Sequence, residues 1–404
     1  MLKRLFLFLL TGLFFLGTNA HAQKKFLFDA TKAETAGNAD WVICASGSTV
    51  PRIPTPDQAN ITSSTPETYW TGALSAWGID LVKLGHHVES LPSGTPITYG
   101  TTNAQDLKNY DVYIVDEPNT AFTAAEKTAI LTFVQNGGGL FMISDHNQSD
   151  RNNDGWDSPK VWNDFLSSNT VKNNPFGITI DLLSFNDAST NVLSATSGDA
   201  VINGPVGVVT NIKISAGTTF TLDPAVNSSV KGVIWKTGAA QGNTSVLSGH
   251  VEFGKGRVVF VGDSSPADDG TGASGKSLYT GWTGEANGDH RRLHLNGSLW
   301  LAKVTGVTSV ENGKALPASF SLNQNYPNPF NPTTVISYQV SASSPVVLKI
   351  YNMLGKEVQT LVNENKPAGN YTVEFNANNL PSGMYVYKLQ AGSFSQSKKM
   401  VLLR

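Results

Sequence analysis

Thr123-Ala-Ala-Glu-Lys-Thr-Ala-Ile-Leu-Thr-Phe-Val-Gln-Asn136, followed at once by Gly137-Gly-Gly-Leu-Phe-Met-Ile143, decides the reading of this chain. Thr123 and Glu126 have the spacing of a capping box, in which a hydroxyl and a carboxylate satisfy free amides at a helix start. The helix this predicts runs to about Gln135 and stops at the glycines, after which Leu140–Ile143 is an apolar strand. Working outward, Lys25–Phe28, His87–Leu91 and Tyr110–Val115 are further short apolar runs, and residues 66–84 carry Tyr69, Ala73, Leu74, Trp77, Leu81 and Leu84 at helical spacing. Strand and helix alternating in this rhythm imply right-handed crossovers and a mostly parallel sheet covered on both faces, a doubly wound, flavodoxin-like α/β fold. Residues 177–261 are mostly strand-like, and residues 289–304 read as a closing helix.

The Asn-Gly-Gly-Gly-Leu-Phe-Met-Ile entry, the later Gly254-Lys-Gly-Arg-Val-Val-Phe-Val-Gly-Asp263 and a last helix ending in Ser298-Leu-Trp-Leu-Ala302 are together similar to the class I glutamine amidotransferase-like superfamily, over about residues 25–305. That resemblance implies a nucleophilic Cys on the turn after Leu140–Ile143, with a His-x-Glu further on. Here the turn reads Ser144-Asp145-His146-Asn147, and the single Cys, Cys44, lies far upstream. His250-Val-Glu252 keeps the spacing with no thiol to activate. Asp145 and His146 are therefore the candidate catalytic pair, Ser144 a substitute nucleophile. Fold alone does not fix the reaction.

Two acidic stretches add candidates. Asp150, Asn152, Asp154 and Gly155 follow the first half of a calcium loop. The twelfth position is Val161 in place of Glu, so Asp157, Asp145 or Asp164 would have to complete the shell. A solvated turn whose Asx side chains cap their own backbone is the competing reading. Asp29, Asp116, Asp145 and Asp263 all close strands in this reading, with Asp268 and Asp269 shortly after. Ligands of open α/β sheets bind at that edge, so these carboxylates form a candidate rim. His290 and His294 share a helix face, where packing is the simpler explanation of the pair.

The two ends carry an address. Residues 1–22 hold Lys3 and Arg4, an apolar stretch from Leu5 to Leu16 and small residues at Ala20-His-Ala22, the pattern of a cleaved signal peptide. After a linker at 306–317, residues 318–404 contain β-branched and aromatic runs separated by Gly, Pro and Asn turns. Asn325-Tyr-Pro-Asn-Pro-Phe-Asn-Pro332, Ile350-Tyr-Asn-Met-Leu-Gly355, Leu380-Pro-Ser-Gly-Met-Tyr385 and a basic last strand resemble the type IX secretion system C-terminal sorting domain of Bacteroidetes. The resemblance implies a small all-β, immunoglobulin-like sandwich, the secretion machinery as partner, and a secreted or cell-surface destination through the periplasm and outer membrane.

Charge narrows the rest. The whole chain has 29 basic and 31 acidic residues, of which the tail from 318 holds 7 and 3 and the signal segment 2 basic, so the body at 23–317 carries 20 against 28. An acidic body disfavours phosphate-backbone binding, so no nucleic-acid partner is expected. Calcium is the candidate ion, no nucleotide is expected, no later stretch is long enough to span a membrane, and the extracellular ligand or substrate is left open. Two functions are compatible with this: a surface binding module that lost its thiol, and a cation-dependent hydrolase of carbohydrate or another polymer using the rim.

Overall fold

Strands with no polar interior position, such as Val112–Asp116 and Gly139–Ile143, must be covered on both faces to bury every side chain. The computed structural model, which describes residues 22–36, 40–43, 58–272, 279–282, 288–304, 320–325, 327–340, 344–366, 369–378, 380–392 and 394–403, shows how this is done. The signal segment up to residue 21, Gly37, Asn38, Cys44, the linker at 306–317 and Tyr326 lie outside the described residues. The chain divides into two compact units, residues 1–310 and 311–404.

The first unit runs β1 (Lys25–Asp29), α1 (Ser75–Lys83), β2 (His87–Leu91), β3 (Val112–Asp116), α2 (Ala124–Gln135), β4 (Gly139–Ile143) and α3 (Ser158–Ser167). Short strands follow: β5 (Ile178–Ile180), β6 (Phe185–Ser189), β7 (Asn203–Gly204), β8 (Gly207–Val208), β9 (Ile212–Gly217), β10 (Phe220–Leu222) and β11 (Lys231–Trp235). The hairpin β12 (Val246–Phe253) and β13 (Gly256–Val261) leads to α4 (His290–Leu301). The main sheet is nine-stranded, ordered β2-β1-β3-β4-β13-β12-β10-β5, with β11 also on β12. Its first five members pair in parallel and the others antiparallel. This is a doubly wound, mostly parallel α/β fold.

Alternate residues of each central strand enter different cores. Phe26, Phe28, Ile114, Phe141 and Val259 pack with Trp77 of α1 and with Leu293 and Leu301 of α4. Leu27, Tyr113, Leu140, Met142 and Phe260 pack with Ile130 and Val134 of α2 and with Trp162 and Phe165 of α3.

The capping box at Thr123 and Glu126 forms in full. Helix α1 begins nine residues later than the apolar spacing from residue 66 implies. Gly72 has φ +119°, a conformation that interrupts a helix, and the amide of Ala76 is capped by the Asp269 carboxylate at 2.8 Å. Helix α3 was not anticipated, although Asp157 before Ser158-Pro159 is a helix-start signal, and Val161, Trp162, Phe165 and Leu166 share one buried face.

The glycine run before β4 and the Gly-x-Gly before β13 have a steric cause. A Cβ on Gly256 would lie 2.0 Å from the Val134 carbonyl oxygen and 2.4 Å from that of Gly138. Gly256→Ala should therefore cost about 3 kcal/mol of stability, since backbone atoms cannot give way as a side-chain tip can. Urea denaturation checks this; a loss below about 1 kcal/mol would mean that β13 shifts freely away from α2.

In the second unit the strands pair antiparallel, with one isolated parallel bridge between Phe330 and Leu402. One sheet is ordered β14-β15-β18 (Ser321–Leu322, Thr333–Val340, Gly369–Asn376), the other β17-β16-β19-β20 (Glu357–Lys366, Ser344–Asn352, Gly383–Ala391, Phe394–Leu402). Ile336, Tyr338, Phe375, Leu348, Ile350, Tyr387, Leu389 and Met400 form the core of this sandwich. The proline-rich opening belongs to it structurally. The Asn325 amide donates to the Pro327 carbonyl and Thr334 Oγ1, its backbone N–H donates to the Tyr387 hydroxyl, and buried Phe330 exchanges backbone bonds with Val401 and Leu403.

Candidate functional site

Strand register sets the site. Asp116 lies opposite Ile143, Ile143 lies opposite Val261, and Phe28 lies opposite Ile114. Asp29, Asp116, Asp145 and Asp263 thus leave the sheet at the same carboxyl edge. Their side chains have different fates.

Asp29 is buried and accepts the Tyr113 hydroxyl at 2.7 Å and the Thr31 hydroxyl at 3.0 Å. Asp116, Asp145 and Asp263 instead share an electrostatic neighbourhood whose centre is Glu117. Glu117 is fully buried, has φ +44° between β3 and Pro118, and accepts the Ser264 hydroxyl at 2.9 Å. A non-glycine residue held at positive φ marks a place where surrounding contacts outweigh local preference.

The principal contact is Arg151. Its Nε donates to Glu117 Oε1 at 2.6 Å, an Nη2 donates to Asp145 Oδ2 at 3.0 Å, and its backbone N–H donates to Asn119 Oδ1 at 2.8 Å. One guanidinium therefore forks across two carboxylates. Asp145 is only 2% exposed. Burial, then Glu117 and Asp263, pushes it well above the usual carboxylate range, with Arg151 pulling the other way.

Asp116 is also pushed well up, by burial and then by Glu117, Asp263 and Asp268, and neither of its buried carboxyl oxygens has a hydrogen-bond partner. Such a carboxyl is neutral when it has no counter-charge. Burial raises Asp263 to about 7 against the pull of the Ser215 and Ser265 amides. Asp268 and Asp269 are likewise raised to about 7 by burial. Asp268 binds the Gly270 and Tyr279 amides, and Asp269 binds Ala76, Thr271 and its hydroxyl.

His146 is partly exposed. Its Nδ1–H donates to the Asn147 carbonyl at 2.6 Å, and its Nε2 lies 3.8 Å from Asp145 Oδ2. Ser144 Oγ is buried and donates weakly to the Asp145 carbonyl at 3.4 Å.

In the loop that follows, the Asp150 carboxylate accepts the amides of Asp154 and Gly155 at 3.0 and 2.8 Å. Asn152 donates to Asp154, Asn119 and Thr120, and Asp154 accepts the Trp156 amide. Asp157 caps α3 through Lys160 and also holds the Gln148 amide. Asp164 is paired with Lys127 at 2.6 Å. The bonds of Asp150, Asp154 and Asp157 to backbone amides are turn and cap bonds. Among the described residues, no group of three or more His, Cys, Asp or Glu is arranged to hold a metal ion.

His250 and His294 are held in packing and ion-pair contacts. His250 bonds Asp199 at 2.8 Å and packs on Trp300 at 4.7 Å, while Glu252 faces Arg257. His294 is fully buried, stacked on Phe141, and lowered to about 3 by burial. Glu117 and Arg151 were missed in the sequence. The available signals were a Glu-Pro directly after a strand-end Asp and one Arg inside an acidic loop.

Comparison with known proteins fits this division. Residues 324–403 match the secretion system C-terminal sorting domain, the type IX tail. Such a tail implies export to the cell surface or extracellular space, with the type IX machinery as partner. No helix among the described residues is long and apolar enough to cross a membrane. No curated protein matches the chain. Among solved structures, the N-terminal domain of mmIFT52 is similar at TM-score 0.42 and 13% identity, over 70% of this chain and 98% of that one. A putative ThuA-like protein from Parabacteroides merdae gives TM-score 0.36 and 14% identity, over 71% and 92%. Dimeric latent PorU from Porphyromonas gingivalis gives TM-score 0.18 and 15% identity, over 20% of this chain and 9% of that chain.

Proposed function

We propose that the first unit is an exported, non-catalytic binding module on an amidotransferase-like scaffold, delivered by the sorting tail. The observation that carries this reading is the Arg151 clamp. The turn after β4 is where this scaffold presents its reactive group, and here its carboxylate is buried and spanned by a guanidinium 3.0 Å away. A general base must reach a substrate proton, and Asp145 is already committed to an ion pair. The immunoglobulin-like character of the tail belongs to the same proposal. The Tyr385 hydroxyl donates to the Pro381 carbonyl at 2.8 Å, four residues upstream, in the manner of a tyrosine corner.

A cation-dependent hydrolase is the second reading, favoured by the partly exposed Nε2 of His146 beside Asp145. It needs a calcium ion held by Asp150, Asn152, Asp154 and Asp157, whose sequence spacing follows the first half of a calcium loop although their carboxylates hold backbone amides. The test is a turnover screen of the full chain on glycan, ester, peptide and amide substrates, with calcium and with chelator. We expect no turnover and an unchanged melting curve on chelation. Activity lost both on chelation and in His146→Ala would replace the binding reading with the hydrolase.

A further inference from the structure

Beside Asp263 the carboxyl edge of the sheet opens into a pocket of about 280 Å³, bordered by β9, the turn at Ser265, residues 279–281 and the start of α4. Its walls are held in place. Asp263 ties the Ser215 and Ser265 amides at 2.5 and 3.0 Å, and Asp268 ties the Tyr279 amide at 2.7 Å. Buried His290 bridges two walls, its Nδ1–H donating to the Gly281 carbonyl at 2.9 Å and its Nε2 accepting the Lys213 amide at 2.9 Å. Both ring nitrogens are thus engaged by backbone, which fixes a neutral imidazole. The residues that line the pocket and carry polar side chains are Ser215, Ser265, Thr280, Tyr279 and Lys213, of which the Ser265 hydroxyl donates to the Ser215 carbonyl at 3.3 Å. Tyr279 is 49% exposed.

We propose that this pocket binds a neutral polyhydroxylated ligand, the sugar ring of a glycan, with Tyr279 as the stacking surface. This deepens the binding-module reading and rests on it. An aromatic face with a wet edge suits the C–H side of a sugar, and Ser and Thr hydroxyls can each donate and accept toward ligand hydroxyls. Lys213 supplies a charged donor to an oxygen. An anion is disfavoured in a body with eight more acidic than basic residues.

The experiment uses the full chain, with saturation-transfer NMR and calorimetry against glucose, galactose, mannose and N-acetylglucosamine and their short oligomers. Inorganic phosphate and acetate serve as anionic probes. At least one neutral sugar should bind, with affinity reduced about tenfold or more in Tyr279→Ala and kept in Tyr279→Phe, since the ring and not the hydroxyl supplies the stacking. Tyr279 is exposed, so neither variant should threaten the fold, and a melting curve checks this. Sugar binding that survives Tyr279→Ala overturns this pocket and leaves the binding-module reading standing. Binding of phosphate or acetate alone, or of nothing in the panel, also overturns it. Turnover of a bound sugar would instead remove the non-catalytic reading, while the Tyr279 dependence of binding still decides the pocket.

Discussion

Arg151→Ala should destabilise the first unit by about 3 to 5 kcal/mol at pH 8, the cost of stranding buried charge without its partner. Glu117 is fully buried and Asp145 nearly so, and one guanidinium reaches both. Arg151→Lys should recover only part of the loss, because an ammonium cannot fork across two carboxylates in the plane that Nε and Nη2 provide. The penalty should shrink toward pH 5, since burial and Glu117 already favour the protonated form of Asp145. A carboxylic acid no longer needs the cation. Urea denaturation of the variants at the two pH values measures both effects. A loss below about 1 kcal/mol at pH 8 would show that the clamp is a solvated surface contact and would remove the main support for a sealed, non-catalytic turn.

The central strands were legible because each is an almost unbroken apolar run ended by an acidic or glycine-rich turn, and the Asp residues at their ends follow from chain direction alone. Strand register then brings Asp116, Asp145 and Asp263 to one edge. What was illegible depends on partners distant in sequence. Asp269 caps α1 from 193 residues away, and no local pattern announces it. Arg151 and Glu117 lie 34 residues apart and meet only once β3 and β4 are adjacent. Asp157 is instructive because two readings compete for the same carboxylate. Loop spacing suggests an ion ligand, whereas the following Ser-Pro and the apolar face of α3 make it a helix cap. Asp29 reached the expected edge, yet Tyr113 and Thr31 engage it away from the acidic centre. Position along the edge could be read from the sequence, and electrostatic company could not.

Stability of the first unit should fall as pH rises from about 4 toward 8, the reverse of a protein held by ionised carboxylates. Asp263, Asp268 and Asp269 are raised to about 7 in the folded chain, and burial with the neighbouring carboxylates also raises Asp116 and Asp145. An unfolded Asp titrates near 3.9. Between these values the folded state holds protons that the unfolded chain has released, so unfolding gains free energy with each step upward in pH. Groups of this kind contribute fully below the unfolded pKa and lose their contribution as pH passes through the folded one. Each is worth up to about 1.4 kcal/mol per pH unit in that window. Asp199 runs the other way. Although burial opposes it, bonds from His250 and Lys231 hold its pKa down, so its contribution is present above about pH 4 and lost as the medium is acidified further. The two trends place the maximum near pH 4 to 5. Thermal melting from pH 4 to 8 should show a midpoint that declines steadily on the alkaline side. Asp116→Asn should flatten that decline, because the amide keeps the shape of the neutral carboxyl and cannot ionise. A midpoint that is level or rising between pH 5 and 8, or an Asp116→Asn curve parallel to the wild type, would mean that the buried acids are ionised in the folded state and balanced by cations bound at the rim.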